Sequence, residues 1–207
     1  MRQGAAPDAL LFDLGNVLIE VDFGRAIAEW ARAANTAEEH IAARFGPDEA
    51  YCAHERGELS EIQYFASLRK SLGINLSDAQ FLSGWNAIFG GPIDGMESLV
   101  RGLSHRLPLY AFSNTNRAHR THWEPRYRAL LAPFREVICS CDIGTRKPAA
   151  DAFMKVAERM GVAPSRIGFF DDLEENVAGA RAAGFRAFRV SSAAEVREAL
   201  PALGIEL

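Results

Sequence analysis

The segment that decides the fold is ALLFDLGN, residues Ala9–Asn16, in which an apolar run leads directly into an aspartate and a glycine. The run Ala9–Leu14 carries no polar residue before Asp13, a pattern typical of a strand buried on both faces of a parallel sheet. Ligands of open α/β sheets bind beyond the carboxyl ends of the strands. We therefore expect Asp13 to lie at a functional site.

Four more short apolar runs follow, and most of them are bounded by turn residues. They are Leu109–Ser113, Glu136–Cys139, Arg166–Phe170 and Ala187–Val190. Helical apolar spacing predicts helices at Met96–Arg106, Ala149–Met160, Asn176–Ala183 and Ala193–Leu203. Because strands alternate with helices, the sequence predicts an α/β fold with a parallel sheet and right-handed crossovers.

A long insert interrupts this alternation after the first strand. It shows no good strand pattern, and its apolar spacing predicts helices at Phe23–Asn35, Thr36–Phe45, Ser60–Leu72 and Ser77–Phe89. Ser60 and Gln63 match a capping box. We therefore expect a core formed by residues 1–21 and 93–207 and a helical domain at residues 22–92. Val17–Asp22 and Gly90–Asp94 are the expected hinges between the two.

Composition limits the classes of partner. The 207-residue chain has a net charge of −4, so no broad basic surface is available for nucleic acid or anionic membrane. Its three cysteines are too few for a disulfide framework and indicate free thiols in the cytoplasm. The first ten residues, MRQGAAPDAL, lack the apolar stretch of a signal peptide, and no segment is long enough to span a membrane. We expect a monomer or a weak dimer.

Polar residues follow the predicted strands in a recurrent arrangement. The segments are FDLGN, FSNTN, GTRKP and FFDD, which begin at residues 12, 112, 144 and 169. Each alone is typical of a turn or a helix cap. Together they supply carboxylates that suit Mg²⁺, and hydroxyl and ammonium groups that suit phosphate oxygens. The combination favours phosphoryl chemistry.

The same residues resemble the haloacid dehalogenase-like (HAD) hydrolases that carry a helical cap. The resemblance covers essentially the whole chain and implies a three-layer, Rossmann-like core. It implies Asp13 as the nucleophile that forms an aspartyl-phosphate, with Ser113 and Lys147 as further catalytic residues. It also implies Mg²⁺ bound by Asp13, by the Gly15 carbonyl and by Asp172, with Asp171 either supporting these ligands or acting through water.

The resemblance assigns further residues around the phosphoryl group. Ser113 and the backbone amide of Asn114 would hold its oxygens, and Lys147 would neutralise charge and restrain Asp13. Asn176, one helical turn beyond Asp172, would anchor the loop.

A closer likeness joins FDLGNV, HERGE, SNTNR, RKP and FFDD to a bacterial branch of this family that includes phosphatases of α-D-glucose 1-phosphate. It implies a small sugar phosphate, such as a hexose 1-phosphate, as substrate. His54, Glu55 and Arg56 in the HERGE segment are then candidates for contact with the leaving group. An exposed loop between helices is an equally good interpretation of that segment.

Position 15 departs from the family pattern. Most phosphatases of the family carry a second aspartate two residues after the nucleophile, where it acts as general acid and base; here the residue is Gly15. A substrate with a good leaving group explains this best. The alternatives are a substitute acid among Glu20, Asp22 and His54, or a weakly active binding protein.

Two other interpretations remain open. A haloacid dehalogenase shares the nucleophile, although the adjacent acids Asp171 and Asp172 would repel each other without a cation. His119 and His122 have a spacing that permits a metal site. The more common interpretation of such a pair is two partly exposed residues of a helix that bind no metal.

Overall fold

The computed structural model describes residues 6–206. Residues 1–5 belong to the stretch in which no signal peptide is expected. They and Leu207, at the two ends of the expected core, lie outside the described residues.

A five-stranded parallel sheet forms the centre of the fold. The strands of the described chain are β1 (Ala9–Phe12), β2 (Ile19–Val21), β3 (Phe89–Pro92), β4 (Leu109–Ser113), β5 (Phe134–Cys139), β6 (Ile167–Asp171) and β7 (Arg186–Arg189). The sheet order is β5-β4-β1-β6-β7, with every neighbouring pair parallel. Strand β1 therefore lies in the middle, with its carboxyl end between those of β4 and β6.

The five strands predicted from the apolar runs are confirmed, with small shifts at their ends. Strand β4 matches its predicted bounds, and the others differ by one or two residues. Strand β1 ends at Phe12 rather than Leu14, although the Asp13 amide still donates to the carbonyl of Phe170, 2.8 Å away. Asp13 thus stands at the point where the chain leaves the sheet.

Helices cover both faces of the sheet. The α-helices of the described chain are α1 (Phe23–Ala34), α2 (Glu38–Ala42), α3 (Glu49–Glu55), α4 (Glu61–Leu72), α5 (Asp78–Ala87), α6 (Met96–Ser104), α7 (Arg117–Arg126), α8 (Arg128–Leu131), α9 (Ser140–Ile143), α10 (Ala150–Met160), α11 (Glu174–Ala182) and α12 (Ala193–Ala199). One apolar cluster joins one sheet face to α10 and α11. The other joins the opposite face to α6, α12 and the helices α1–α5. The result is a three-layer α/β fold.

The prediction that the insert lacks strands is wrong. Strands β2 and β3 pair antiparallel, with Ile19 opposite Pro92 and Val21 opposite Phe89. The helix predicted to reach Phe89 ends at Ala87 because the chain enters β3. The segments predicted as two hinges are therefore paired with each other.

A helix that the sequence pattern did not reveal lies in the HERGE region. Helix α3 ends at Glu55, and both His54 and Glu55 are buried, so the loop interpretation of these two residues is wrong. The predicted capping box at Ser60 and Gln63 is present. Helix α4 thus begins at the capping box that the sequence predicts, and α3 is an additional helix of the insert.

Aromatic residues fill the interior of the inserted helices. The rings of Trp30 and Trp85 stack 6.1 Å apart, and both side chains are fully buried. The indole N–H of Trp30 donates to the carbonyl of Phe81 over 3.0 Å. Gly84 lies against the same indole, so α1 and α5 approach each other where one of them has no side chain.

Among residues 6–206, no helix is both long enough and apolar enough to cross a membrane.

We predict that Gly84→Ala destabilises the fold. A Cβ at this position would lie 2.3 Å from Trp30 Nε1. Overpacking of this kind costs about 1–3 kcal/mol, which urea unfolding would measure. Gly102→Ala, in α6 with no neighbour within 4 Å, is the control. It should stabilise the protein by about 0.5–1 kcal/mol, because alanine is the better helix former. Equal urea midpoints for Gly84→Ala and wild type would refute this packing argument.

Candidate active site

The ammonium group of Lys147 lies at the centre of the site. Its Nζ donates to Asp13 Oδ1 over 2.6 Å, to Asp171 Oδ2 over 2.7 Å and to the Phe112 carbonyl over 3.0 Å. The Lys147 side chain is only 1% exposed. All three donor positions of the ammonium are therefore satisfied by groups at the ends of β1, β4 and β6.

A side-chain amide fixes the backbone of Lys147. Asn114, directly after β4, donates from Nδ2 to the Lys147 carbonyl and accepts from the Lys147 amide, both over 2.9 Å. This two-point clamp ties the loop before α10 to the end of β4. The rings of Phe112 and Phe169 lie 5.3 and 5.5 Å from Lys147 Nζ and exclude water from it.

The two adjacent acids after β6 have different environments. Asp171 is fully buried, and its Oδ1 accepts from the Leu173 amide over 3.0 Å and from Asn176 Nδ2 over 2.9 Å. Its other oxygen is held by Lys147. Asp172 is partly exposed and lines the same cavity as Asp13. Of the three acids around Lys147, Asp13 and Asp172 therefore face the cavity, while Asp171 orients Lys147.

The acidic cluster is able to bind a cation. Ligand oxygens of Asp13, Asp171 and Asp172 lie within 4.8 Å of one another. Burial, with the charges of Asp171 and Asp172, raises the pKa of Asp13 to about 7, although Lys147 opposes this. Burial also raises the pKa of Asp172. One ammonium cannot balance three carboxylates, so the donor set fits a hard divalent cation such as Mg²⁺.

A cavity of about 290 Å³ opens in front of these residues. The predicted residues Asp13, Gly15, Ser113, Asn114, Lys147, Asp172 and Asn176 all line it. Within residues 6–206 the Ser113 hydroxyl has only a long contact of 3.5 Å, to the Asn114 carbonyl, so it remains able to donate to a ligand. The strand ends thus bring the predicted phosphoryl-binding groups into one cavity.

The three HERGE candidates occupy different places. Glu55 lines the cavity. His54 is buried and stacks on Tyr64 with ring centroids 4.5 Å apart, and it does not line the cavity. Arg56 turns toward the surface, where it pairs with Glu49 and Glu58.

The candidates for a substitute acid lie away from the cavity wall. Glu20 pairs with Arg25 over 2.8 Å, and Asp22 caps α1 by accepting from the Gly24 amide. Neither of them lines the cavity, and nor does His54. A Cβ built on Gly15 would lie 3.3 Å from Val21 Cγ2. Strand β2 therefore limits the space for a larger residue at position 15.

The expectation of partial exposure is wrong for His119, which is buried. Its Nε2 lies 2.9 Å from the Trp85 carbonyl and its Nδ1 lies 3.1 Å from Asn116 Nδ2. A carbonyl only accepts, so Nε2 carries the proton and Nδ1 accepts from the amide. Both nitrogens are occupied, and burial lowers the pKa of His119 to about 3. His119 thus links α5 to α7 as a neutral ring, while His122 is partly exposed and stacks on Phe89.

Among the cavity residues that the sequence analysis missed are Tyr51 and Arg146, the two that lie near Glu55. Tyr51 lies one helical turn before Glu55 on α3, and Arg146 directly precedes Lys147. Arg146 Nε donates to Glu55 Oε2 over 2.7 Å. Arg146 could have been predicted, because it is the first residue of the RKP segment that contains Lys147. Tyr51 required knowledge of α3, because only a helix places positions 51 and 55 on one face.

Comparison with known proteins agrees with this geometry. Residues 7–184 match the family of haloacid dehalogenase-like hydrolases, and the chain belongs to that family. A curated relative, phosphatase MT3486 of Mycobacterium tuberculosis, is 27% identical over 92% of this chain and 90% of its own length.

Solved structures show the same fold. A HAD family enzyme of Bacteroides thetaiotaomicron, crystallised with magnesium and inorganic phosphate, is 26% identical, with a TM-score of 0.77 over 90% of this chain and 94% of its own. The L-2-haloacid dehalogenase of Xanthobacter autotrophicus is 20% identical, with a TM-score of 0.69 over 94% of this chain and 83% of its own. At that identity the likeness concerns the fold alone.

We predict that acid destabilises the protein through two histidines. Burial lowers the pKa of His54 to about 4 and that of His119 to about 3, both from 6.5. Their stabilising effect is complete above pH 6.5 and is lost as the pH falls toward these values. Each contributes up to about 1.4 kcal/mol per pH unit to the unfolding free energy. Urea unfolding between pH 4 and pH 7 measures the slope.

The variant His119→Phe keeps a ring against Trp85 but cannot bind a proton. It should be less stable than wild type at pH 7 and show a shallower loss of stability toward pH 4. A slope equal to that of wild type would rule out His119 as a source of the acid sensitivity.

Proposed function

We propose that this chain is a Mg²⁺-dependent phosphomonoester hydrolase that acts through an aspartyl-phosphate on Asp13. The observation that supports this most is the pair of bonds from Lys147 to Asp13 and Asp171, with Asp172 beside them in the cavity. A nucleophilic carboxylate must be held in one orientation, and its pKa must allow ionisation at the working pH.

The chain's own residues supply most of the first step. The Asp13 carboxylate attacks phosphorus, the new Asp13–phosphorus bond forms, and the bond from phosphorus to the alcohol oxygen breaks. Lys147 keeps Asp13 in place and offsets the negative charge that develops on the phosphoryl oxygens. Ser113 and the backbone amide of Asn114 donate to those oxygens. In the second step water attacks phosphorus and the bond between phosphorus and the Asp13 oxygen breaks, which restores Asp13. One proton of that water stays on the released phosphate, and the other passes to the alkoxide from the first step.

The groups that would hold Mg²⁺ are Asp13, Asp172 and the carbonyl of Gly15. Asp171 would support them without binding the ion directly. Once bound, the ion neutralises carboxylate and phosphoryl charge and thereby lets two anions approach each other. Asp171 holds Lys147 and is held by Asn176, so it keeps the ammonium aligned with Asp13.

The inserted helices serve as a cap in this proposal. With residues 22–92 as the cap and residues 1–21 and 93–207 as the core, the cavity lies between the strand ends and residues of α1 and α3. Of the candidates His54, Glu55 and Arg56, Glu55 is the proposed cap contact for the leaving group, because it lines the cavity while the other two do not. Closure of the cap over the substrate would exclude bulk water from the cavity while Asp13 attacks phosphorus.

The substrate in this proposal is a small sugar phosphate, such as a hexose 1-phosphate. Gly15 offers no proton to the departing oxygen, and an anomeric phosphate needs less acid assistance because its leaving group is good. A cavity of about 290 Å³ suits a small ester rather than a polymer. Dehalogenation is the second candidate, but it gives no reason for a third carboxylate next to Asp171.

We predict that Asp13→Asn lowers phosphate release by at least about 10³-fold, since an amide cannot act as the nucleophile. The assay follows phosphate release from a panel of phosphomonoesters, with Mg²⁺ or with EDTA. Asp8→Asn is the control: Asp8 lies on the surface at the opposite end of β1 and pairs with Arg166. It should retain wild-type activity. Release from wild type that survives EDTA, or that persists in Asp13→Asn, would refute the mechanism.

We predict a steep dependence of kcat/KM on the leaving group. Without a proton donor at position 15, aryl phosphates with more acidic phenols should react much faster than those with less acidic phenols. The double variant Gly15→Asp/Val21→Ala supplies a carboxyl group and removes the methyl groups near it. It should flatten the dependence, whereas Val21→Ala alone should not. A flat dependence in wild type would mean that another group already donates the proton.

A further inference from the structure

Glu55 is a buried carboxyl group that takes no part in the two chemical steps proposed above. Its side chain is 5% exposed, and it lines the same cavity as Asp13. Arg146 Nε donates to its Oε2 over 2.7 Å, and Tyr51, one helical turn earlier on α3, lines the same cavity. It is not part of the acidic cluster formed by Asp13 and its neighbours. A buried charge at this place needs an explanation.

Anchoring of α3 to the core does not provide that explanation. The Glu55 carbonyl already accepts from Ser140 Oγ over 2.7 Å. Directly after it, the chain passes so close to the core that a Cβ on Gly57 would lie 2.6 Å from the Cys141 carbonyl oxygen. A buried ion pair adds little net stability compared with apolar residues of similar size. The Glu55–Arg146 pair is therefore better explained by what enters the cavity.

Both cations that line the cavity are paired with carboxylates. The charged lining residues are Asp13, Glu55, Arg146, Lys147 and Asp172, so acids outnumber cations by three to two. Lys147 is held by carboxylates, and Arg146 is held by Glu55. Among the described lining residues no cation is left over for a second anionic group on a substrate. A leaving group with its own carboxylate or phosphate would meet the Glu55 charge.

The pair keeps capacity for neutral polar groups. A carboxylate accepts several hydrogen bonds, and a guanidinium has five N–H donors. The donors of Arg146 that the structure shows in use are one on Glu55 and one on Cys52 Sγ. The other cap-side lining is apolar, formed by Val21, Phe23, Ile88 and Phe89. A cavity of this kind suits a molecule with an apolar ring face and hydroxyl groups.

We propose that Glu55, Arg146 and Tyr51 recognise hydroxyl groups on a neutral leaving group and reject leaving groups that carry a second acid group. This inference rests on the proposed phosphatase function. It assigns the substrate specificity of the site to Glu55 and Tyr51 of α3 and to Arg146 of the core. The substrate class is then the phosphomonoesters of neutral polyhydroxy compounds.

The test compares three substrates: a hexose 1-phosphate, phenyl phosphate and a phosphoglycerate. Glu55→Gln should lower kcat/KM for the hexose phosphate by about 10- to 100-fold, the size of one hydrogen bond to a charged group. It should change kcat/KM for phenyl phosphate by less than about threefold, because phenol has no further hydroxyl group whose contact could be lost. It should raise kcat/KM for the phosphoglycerate, because Arg146 then lacks its carboxylate partner.

Glu58→Gln is the matched control, since Glu58 lies three residues further on, is exposed and pairs with Arg56. It should leave all three substrates unchanged. Tyr51→Phe is a second variant that keeps the buried ring and removes only the hydroxyl. It should lower kcat/KM for the hexose phosphate selectively, in the same direction as Glu55→Gln.

Equal losses on all three substrates would show that Glu55 only supports the structure and would overturn the inference. Unchanged rates in both Glu55→Gln and Tyr51→Phe would overturn it as well. Failure of the proposed function looks different: wild type would then release no phosphate from phenyl phosphate in Mg²⁺, and the inference would fall with it.

Discussion

The buried ammonium of Lys147 is the interaction on which the rest of the site depends. It lies among groups from three neighbouring strands, and two of its three partners are carboxylates. Without it, Asp13 and Asp171 would be buried next to each other with no counter-charge, which a protein interior does not tolerate. The cation therefore has two effects, because it permits the acids to be buried and it orients the one that faces the cavity.

The position of that ammonium is set by backbone contacts rather than by its flexible side chain. Asn114 holds both the amide and the carbonyl of Lys147, and Asn176 holds the acid on the other side. The side-chain amides of Asn114 and Asn176 thus fix the position of the ammonium group at the end of the Lys147 side chain. An arginine could not replace the lysine there, because its planar fork does not fit three acceptors around one nitrogen.

Most of the core and the end of the cavity around Asp13 and Lys147 could be predicted from the sequence. Apolar runs identify the parallel strands, and the parallel arrangement brings Asp13, Ser113 and Asp172 to one edge whatever the details of the loops. Strands β2 and β3 could not be predicted in this way. They have three and four residues, and GGP in β3 resembles a turn rather than a strand.

The cap end was less predictable, because burial there comes from tertiary packing. Helix α7 has a polar sequence, RAHRTHWEPR, yet His119 is buried between Trp85 and Asn116. Helix α3 has seven residues, too few for a clear apolar period, so Tyr51 was not associated with Glu55. Local sequence patterns identify residues that face the sheet, but they do not identify contacts between the inserted helices and the core.

The pairing of β2 with β3 has an evolutionary consequence. Both chain crossings into the inserted helices run through one two-stranded stem, next to Gly15 and Asn16. Mutations beyond that stem can reshape the wall that faces the leaving group without changing the register of the five-stranded sheet. Selection on substrate preference and selection on the hydrolytic centre can therefore act on separate stretches of the chain. A fold built in this way can acquire new substrates while it keeps one reaction.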